Sequence, residues 1–248
     1  RAMELLLALG KPTQVEITLA HMADGGIHDQ LGGGFARYSV DERWEIPHFE
    51  KMLYDNAQLL PLCAGCGRVE VAHGILAWLL REMTAPSGGF YAALDADSEH
   101  EEGKFYVWQR DEVRALLDAD EFAVAAPHWG LDRAPNFEDA AWNPIVAVAL
   151  HDVAQSLGIT QDEASTRLAR ARAKLFAARS RRVRPGLDDK VLTSWNALMI
   201  AGIARTARAR DAPPLLGLAE NALDNLYANA WRDGRLYAKA DADATRFP

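Results

Sequence analysis

One helical unit occurs twice in the sequence, as YDNAQLL at residues 54–60 and as SWNALMI at residues 194–200. In each copy an amphipathic segment and then a loop follow: WLLREM (78–83) with GGFYAALDAD (88–97), and LYANAW (226–231) with GRLYAKADAD (234–243). A helix pair that recurs with the same closing loop is typical of αα-hairpin arrays, in which neighbouring pairs cover each other's exposed faces. The repeat therefore predicts an all-α fold with short β-hairpins in its loops.

Helix signals extend over most of the remaining chain. Thr13 with Glu16, and Thr160 with Glu163, have the spacing of N-terminal capping boxes. Apolar periodicity predicts helices at about 13–24, 48–66, 70–83, 111–128, 144–157, 160–181, 191–210 and 214–230. The repeat makes 48–66 and 191–210 inner helices, buried nearly all round, and 70–83 and 214–230 outer ones.

Composition excludes several classes of function. The 248 residues carry a net charge of -8, so the chain lacks the dominant basic charge that nucleic-acid binding requires. No apolar run approaches the roughly 20 residues that cross a bilayer. We expect a cytoplasmic protein that binds neither nucleic acid nor membrane. Because the chain begins at Arg1, we also expect it to be one domain, 1–248, from a longer polypeptide.

A polar, glycine-rich stretch, GGIHDQLGGGFARYSVDERWEIPHFEKMLYDN at residues 25–56, leads into the first unit of the repeat. On a helical projection of 48–60, one face mixes imidazole, carboxylate, ammonium and amide groups with a phenol at its edge. Such varied groups suit a cavity that binds a polyhydroxylated ligand and exchanges protons with it. An ordinary solvated helix face is the alternative. We expect 26–48 at the mouth of a cleft into which His28, Arg37 and His48 all point.

Candidate residues follow from this interpretation. His48 is the first candidate for proton transfer, because histidine titrates nearest to neutral pH. Glu50, Asp55, His28 and Asp29 are its candidate catalytic partners. Candidate ligand-binding residues are Arg37, Tyr38, Trp44, Lys51, Tyr54, Asp95, Asp97, Asp188, Asp189, Lys190, Trp195 and Asn196.

The sequence predicts no metal site and no cofactor. DADSEHEE at 95–102 begins like a calcium loop, but His100 stands where the turn needs glycine, and Tyr106 where a bidentate glutamate is required. Cys63 and Cys66 end an apolar helical run, whereas a thioredoxin-type pair follows a strand. We expect both cysteines to be small packing residues.

Three blocks of sequence resemble signature segments of the spermatogenesis-associated protein 20 family: residues 25–59, residues 88–108 (GGFYAALDADSEHEEGKFYVW) and residues 188–200 (DDKVLTSWNALMI). The resemblance implies an (α/α) toroid of six-hairpin glycosidase or N-acylglucosamine 2-epimerase type, incomplete here and preceded in the family by a thioredoxin-like domain. It further implies a sugar isomerase, epimerase or glycosidase-type acid/base enzyme. The alternative is a non-catalytic binding or scaffold module that serves the thioredoxin-like domain in a redox-related role.

Overall fold

The computed structural model of the chain describes residues 2–240, and this part is mostly helical. A π-helical segment, Leu79–Met83, continues the fourth helix. The α-helices are α1 (Ala2–Ala8), α2 (Pro12–Asp24), α3 (Leu53–Gly65), α4 (Val69–Trp78), α5 (Arg110–Leu116), α6 (Ala119–His128), α7 (Leu150–Leu157), α8 (Gln161–Arg179), α9 (Thr193–Arg210) and α10 (Pro214–Ala230).

The strands are two residues long and lie in the loops between helices or, for the last two, after the final described helix. They are β1 (Tyr38–Ser39), β2 (Pro47–His48), β3 (Lys51–Met52), β4 (Ala93–Leu94), β5 (Asp97–Ser98), β6 (Glu101–Glu102), β7 (Leu187–Asp188), β8 (Trp231–Arg232) and β9 (Arg235–Leu236). An antiparallel sheet in the order β3-β4-β7 joins the start of α3, the loop after α4 and the segment before α9. This sheet brings the two copies of the repeat to the same edge of the fold.

The two predicted inner helices pack directly against each other. A Cβ added at Gly202 of α9 would lie 2.4 Å from the carbonyl oxygen of Ala57 of α3, so only glycine allows this close approach. Nearly all of α3 is buried or half-buried, as predicted. The prediction of all-round burial is wrong for α9, because no helix among residues 2–240 covers its stripe of Ser194, Ala197 and Ala201.

The predicted outer helices, α4 and α10, alternate buried and exposed residues along their length, so each has one exposed face. The four helices α5 to α8 form an insertion between β4 and β7. They pack around a core of their own that includes Trp108, Trp129 and Leu175. No helix in residues 2–240 has both the length and the hydropathy needed to cross a membrane.

Several helix boundaries differ from the prediction for local reasons. The first inner helix begins at Leu53 rather than at residue 48, because 47–52 contribute strands β2 and β3. The predicted helix 111–128 is divided in two where Asp118 caps α6 through a capping box. Thr160 caps α8 as predicted, whereas α2 begins with Pro12 at its first turn and has no side-chain cap. Helix α1 was not predicted.

Contacts to its backbone hold the polar stretch before α3 against the core. Gly33 has a φ of +77°, and a Cβ there would lie 2.2 Å from the carbonyl oxygen of Gly74 in α4. Asn56 of α3 donates to the carbonyl of Phe35 over 2.9 Å and accepts from its amide over 2.8 Å. These contacts fix the loop from which the candidate site is built.

Candidate functional site

Eight polar and aromatic side chains form a connected group at the edge of the fold where α3 and α9 begin. We call this group the rim cluster. It consists of Arg37, Tyr38, His48, Glu50, Tyr54, Asp55, Glu102 and Trp195. Seven of the eight were candidates from the sequence; Glu102 was not. The pairing of β1 with β2 sets Tyr38 opposite His48, and the first turns of α3 and α9 supply Tyr54, Asp55 and Trp195.

His48 lies between two carboxylates. Its Nδ1 is 2.6 Å from Oε1 of Glu102, and its Nε2 is 3.4 Å from Oε2 of Glu50. The ring stacks on Tyr38 with centroids 5.0 Å apart, and 27% of the side chain remains exposed. Because a carboxylate accepts hydrogen bonds, Glu102 favours a proton on Nδ1 and fixes the orientation of the ring.

Arg37 links the carboxylate side of the cluster to its aromatic side. One guanidinium nitrogen is 3.3 Å from Oε2 of Glu50. The hydroxyl of Tyr54 lies near the same guanidinium, and contact with Glu50 and Tyr54 raises the pKa of Arg37. The ring of Tyr54 meets Trp195 edge-on, with centroids 4.7 Å apart. A cation and two partly exposed aromatic rings are therefore linked to the histidine through Glu50.

Asp55 has an altered protonation equilibrium. Burial raises the pKa of its carboxyl to about 6, although the nearby Arg37 charge opposes the increase. One of its oxygens, Oδ2, is enclosed and has no hydrogen-bond partner among residues 2–240. A carboxyl group that gains and loses a proton near neutral pH suits acid/base chemistry.

The structure places two other candidates, Asp29 and Lys51, in a buried ion network and not in the rim cluster. Asp29 pairs with Arg179 through two 2.8 Å hydrogen bonds and with Lys51 through a third of 2.8 Å. Burial acts to raise the pKa of Asp29, but the charges of Arg179 and Lys51 hold it well below its ordinary value. Lys51 is 3% exposed and Asp29 is 6% exposed, so neither residue is accessible to a ligand, contrary to the prediction.

Two further candidates have core positions, and a third is half-buried against the core. His28 is buried, neither ring nitrogen has a hydrogen-bond partner among residues 2–240, and burial lowers its pKa to about 4. The prediction that it shares a cleft with Arg37 and His48 is therefore wrong. Trp44 packs on the main hydrophobic core. Asn196 is fully buried, and its amide is occupied by hydrogen bonds to the backbone of Phe90 and Leu192.

The remaining acidic candidates and Lys190 lie in loops near the central sheet. Lys190 pairs with both oxygens of Asp188 over 2.8 Å, and Asp95 accepts a hydrogen bond from the amide of Asp97. Asp189 is exposed. Asp97 stands opposite Glu102 where β5 pairs with β6, but among the described residues no side-chain hydrogen bond or ion pair joins these five to the rim cluster.

Glu102 also borders an open cleft of about 730 Å³ that continues from the rim cluster towards Trp108 and Arg182. In residues 2–240, no group of three or more His, Cys, Asp and Glu side chains is placed to hold a metal ion. Burial raises the pKa of both cysteine thiols, so their surroundings disfavour the reactive thiolate.

Comparison with known proteins gives several relatives, although no family model matches the chain. Human spermatogenesis-associated protein 20 is 37% identical over 235 residues, which cover 82% of this chain and 30% of the human protein. The mouse protein of the same name is 39% identical over 223 residues, which cover 77% of this chain and 28% of the mouse protein. An uncharacterised protein of Caenorhabditis elegans is 35% identical over 235 residues, which cover 82% of this chain and 32% of the worm protein. The chain thus spans about a third of its relatives' length.

One solved structure, a sugar epimerase from a ruminal bacterium, aligns with 96% of this chain and 74% of its own, at 12% identity and a TM-score of 0.29. A TM-score this low supports no inference about fold or function.

Proposed function

We propose a function for this chain, which belongs to the spermatogenesis-associated protein 20 family, from the side chains of its rim cluster. The chain spans 30% of the human protein of that name and 28% of the mouse protein. The rim cluster binds a sugar or sugar-like ligand and exchanges protons with it. The combination of a guanidinium, a histidine between carboxylates and two aromatic rings supports this ligand class, since hydroxyl groups need donors and acceptors while sugar ring faces pack on aromatic side chains.

The proposed chemistry is proton transfer next to a sugar carbonyl. The ionised carboxylate of Asp55 removes a proton from the adjacent carbon, and the electron pair moves onto the carbonyl oxygen to give an enediolate. Arg37 stabilises the negative charge on that oxygen. His48, when protonated on both ring nitrogens, then donates its Nε2 proton to carbon. Delivery to the same carbon from the opposite face gives the epimer, whereas delivery to the former carbonyl carbon, with transfer of the neighbouring hydroxyl proton to the former carbonyl oxygen, gives the isomer. Asp55 then loses its proton to solvent and His48 takes one up, which restores the starting state.

One observation carries the proposal: Oδ2 of Asp55 is enclosed and unpaired beside Arg37, with a carboxyl pKa of about 6. An unpaired buried polar atom costs about 1–3 kcal/mol, so a purely structural carboxylate at this position would lower stability without any compensating bond. A ligand hydroxyl or a transferred proton would supply the missing partner.

A screen of the full-length protein tests the proposal. Free aldoses, ketoses and reducing disaccharides are incubated with the protein in D2O, and NMR records deuterium uptake next to the carbonyl. We expect deuterium uptake for at least one sugar. The control variant Asp152→Asn, which replaces an exposed acid on α7, should retain that uptake. If no sugar exchanges, the acid/base proposal fails, and the alternative of a non-catalytic module beside a thioredoxin-like domain is favoured.

The proposal extends to the architecture of the whole protein. Two inner-outer helix units joined through one sheet support an (α/α) toroid of which this chain forms part. The family resemblance supports a thioredoxin-like domain elsewhere in the full-length protein, as the partner of this region. Limited proteolysis of the full-length protein, followed by mass spectrometry, tests whether residues 1–248 belong to one folded domain.

A further inference from the structure

A second concave surface lies between the insertion helices and the loop after α2, and no rim-cluster residue lines it. This insertion groove has a volume of about 630 Å³. Ligand pockets typically measure roughly 300–1,000 Å³ and combine apolar walls with a few polar groups. The residues of this groove on which the argument rests are Leu31, Glu70, His128, Leu168, Arg172 and Phe176.

The walls of the insertion groove are largely apolar. Leu31 is buried, and Leu168 and Phe176 of α8 are half-buried one above the other along its length. Trp129 at the end of α6 also lines the groove. Water forms few hydrogen bonds with such walls, whereas an apolar ligand of about this size would bury its own apolar surface against them.

Arg172 presents an unused charge to the groove. Its Nε donates to the carbonyl oxygen of Leu31 over 2.9 Å, which holds the guanidinium in place. Its two terminal nitrogens form no hydrogen bond or ion pair with any of residues 2–240. The charges of Asp29 and Glu70 act on it only from beyond ion-pair distance. A guanidinium with two free parallel donors matches one carboxylate.

His128 adds a hydrogen-bond acceptor to the same groove. Its Nδ1 lies 2.8 Å from the carbonyl oxygen of Val148, and because a carbonyl only accepts, Nδ1 carries the proton. Burial lowers the pKa of His128, which favours the neutral ring. Nε2 is therefore an acceptor and has no partner within the described part of the chain.

We infer that the insertion groove binds a small amphipathic monocarboxylate, with its carboxylate on Arg172 and its apolar body against Leu168 and Phe176. A hydroxyl or amide on the ligand would donate to Nε2 of His128. A phosphate dianion is a poorer match, because the single free guanidinium shares the groove with the carboxylate of Glu70.

Binding of octanoate to the full-length protein, followed by isothermal titration calorimetry, tests this inference, with octanamide as the uncharged ligand of the same length. We expect octanoate to bind at least tenfold more tightly than octanamide. Arg172→Gln should remove that difference, whereas Arg170→Gln, an exposed arginine on the same helix outside the groove, should retain it.

A steric variant covers the case in which Arg172→Gln does not fold. Ala169 is exposed and lines the groove, so Ala169→Trp should fill it and abolish octanoate binding, whereas Ala177→Trp, exposed on the same helix but outside the groove, should not. Equal binding of octanoate and octanamide, no binding of octanoate, or normal binding to Ala169→Trp would each overturn the inference.

Discussion

The side-chain amides of Asn56 and Asn196 make the same three hydrogen bonds in the two copies of the repeat. Each Oδ1 accepts from the backbone amide of a phenylalanine, Phe35 or Phe90, over 2.8 and 2.7 Å. Each Nδ2 donates to the carbonyl of that phenylalanine over 2.9 Å and to the carbonyl four residues before the asparagine over 3.0 Å. The shared asparagine of YDNAQLL and SWNALMI therefore fastens a preceding loop to the start of an inner helix.

Loss of this fastening should destabilise the fold. Asn196→Ala leaves the amide and carbonyl of Phe90 unpaired in the core, and we expect the free energy of unfolding to fall by about 1–3 kcal/mol. Urea denaturation measures the change. Asn221→Ala, at an exposed position of α10, should change stability by less than about 0.5 kcal/mol. Equal stability of the two variants would contradict this role for Asn196.

The contact between the inner helices gives a second prediction, with an internal control. Gly202→Ala forces a methyl group against the carbonyl of Ala57 and should lower the free energy of unfolding by about 1–3 kcal/mol. Gly217→Ala in α10 meets no atom within 4 Å and should raise it by about 0.5–1 kcal/mol, because alanine favours helix more than glycine does. Chemical denaturation of both variants decides whether the changes have opposite signs.

His28 should make stability depend on pH. Its pKa is lowered to about 4 by burial, so below pH 6.5 the unfolded chain takes up a proton that the native protein does not. Stability should therefore fall as the pH decreases from 6.5 to 4, by about 1.4 kcal/mol per pH unit from this residue. His28→Leu should make that slope shallower by the same amount, and His73→Gln, at an exposed position, should not. Identical slopes for wild type and His28→Leu would rule out the assignment.

The ionised carboxylate of Asp55 should lower the free energy of unfolding at neutral pH. Because its folded-state pKa is raised from 3.8 to about 6, the native protein holds the proton more tightly than the unfolded chain does. Stability is therefore lost as the pH rises from 3.8 through about 6. Asp55→Asn should be at least as stable as wild type at pH 7, with a smaller difference at pH 4, as measured by thermal unfolding. A variant clearly less stable at pH 7 would indicate a structural carboxylate.

His48 should matter for proton exchange more than for stability. His48→Gln keeps a polar group between Glu50 and Glu102, so the melting temperature should remain within a few degrees of wild type. Loss of a positioned acid should slow deuterium exchange on the sugar by roughly 100-fold to 10,000-fold. Differential scanning fluorimetry and the exchange assay separate the two effects. A destabilised His48→Gln variant with unchanged exchange would remove His48 from the proposed mechanism.

The helices could be predicted where periodicity and capping are local. Thr193–Arg210 and Pro214–Ala230 lie within about two residues of the prediction, since each has a regular apolar face and a clear stop. The same reasoning failed at 47–52, because the strand β3 there forms by pairing with β4, some forty residues further along the chain. No local pattern indicates such a partner.

That strand geometry also explains which candidate residues reached the rim cluster. Along an extended segment successive side chains point to opposite sides, so His48 and Glu50 are half-exposed while Phe49 and Lys51 are buried. The helical projection had placed Lys51 on the same face as His48. Asp29 was misplaced for a different reason, since its partner Arg179 lies in α8, 150 residues away in sequence.

The rate of deuterium incorporation next to a sugar carbonyl, compared between the full-length wild type and Asp55→Asn across pH 4.5–8, tests the acid/base role of the rim cluster most directly. We predict that the wild-type rate rises with pH through an inflection near 6, the pKa of Asp55, and that Asp55→Asn lowers the rate by roughly 100-fold to 10,000-fold while Asp152→Asn does not. A rate in Asp55→Asn equal to that of wild type, or no incorporation by the wild type with any sugar, would contradict the account.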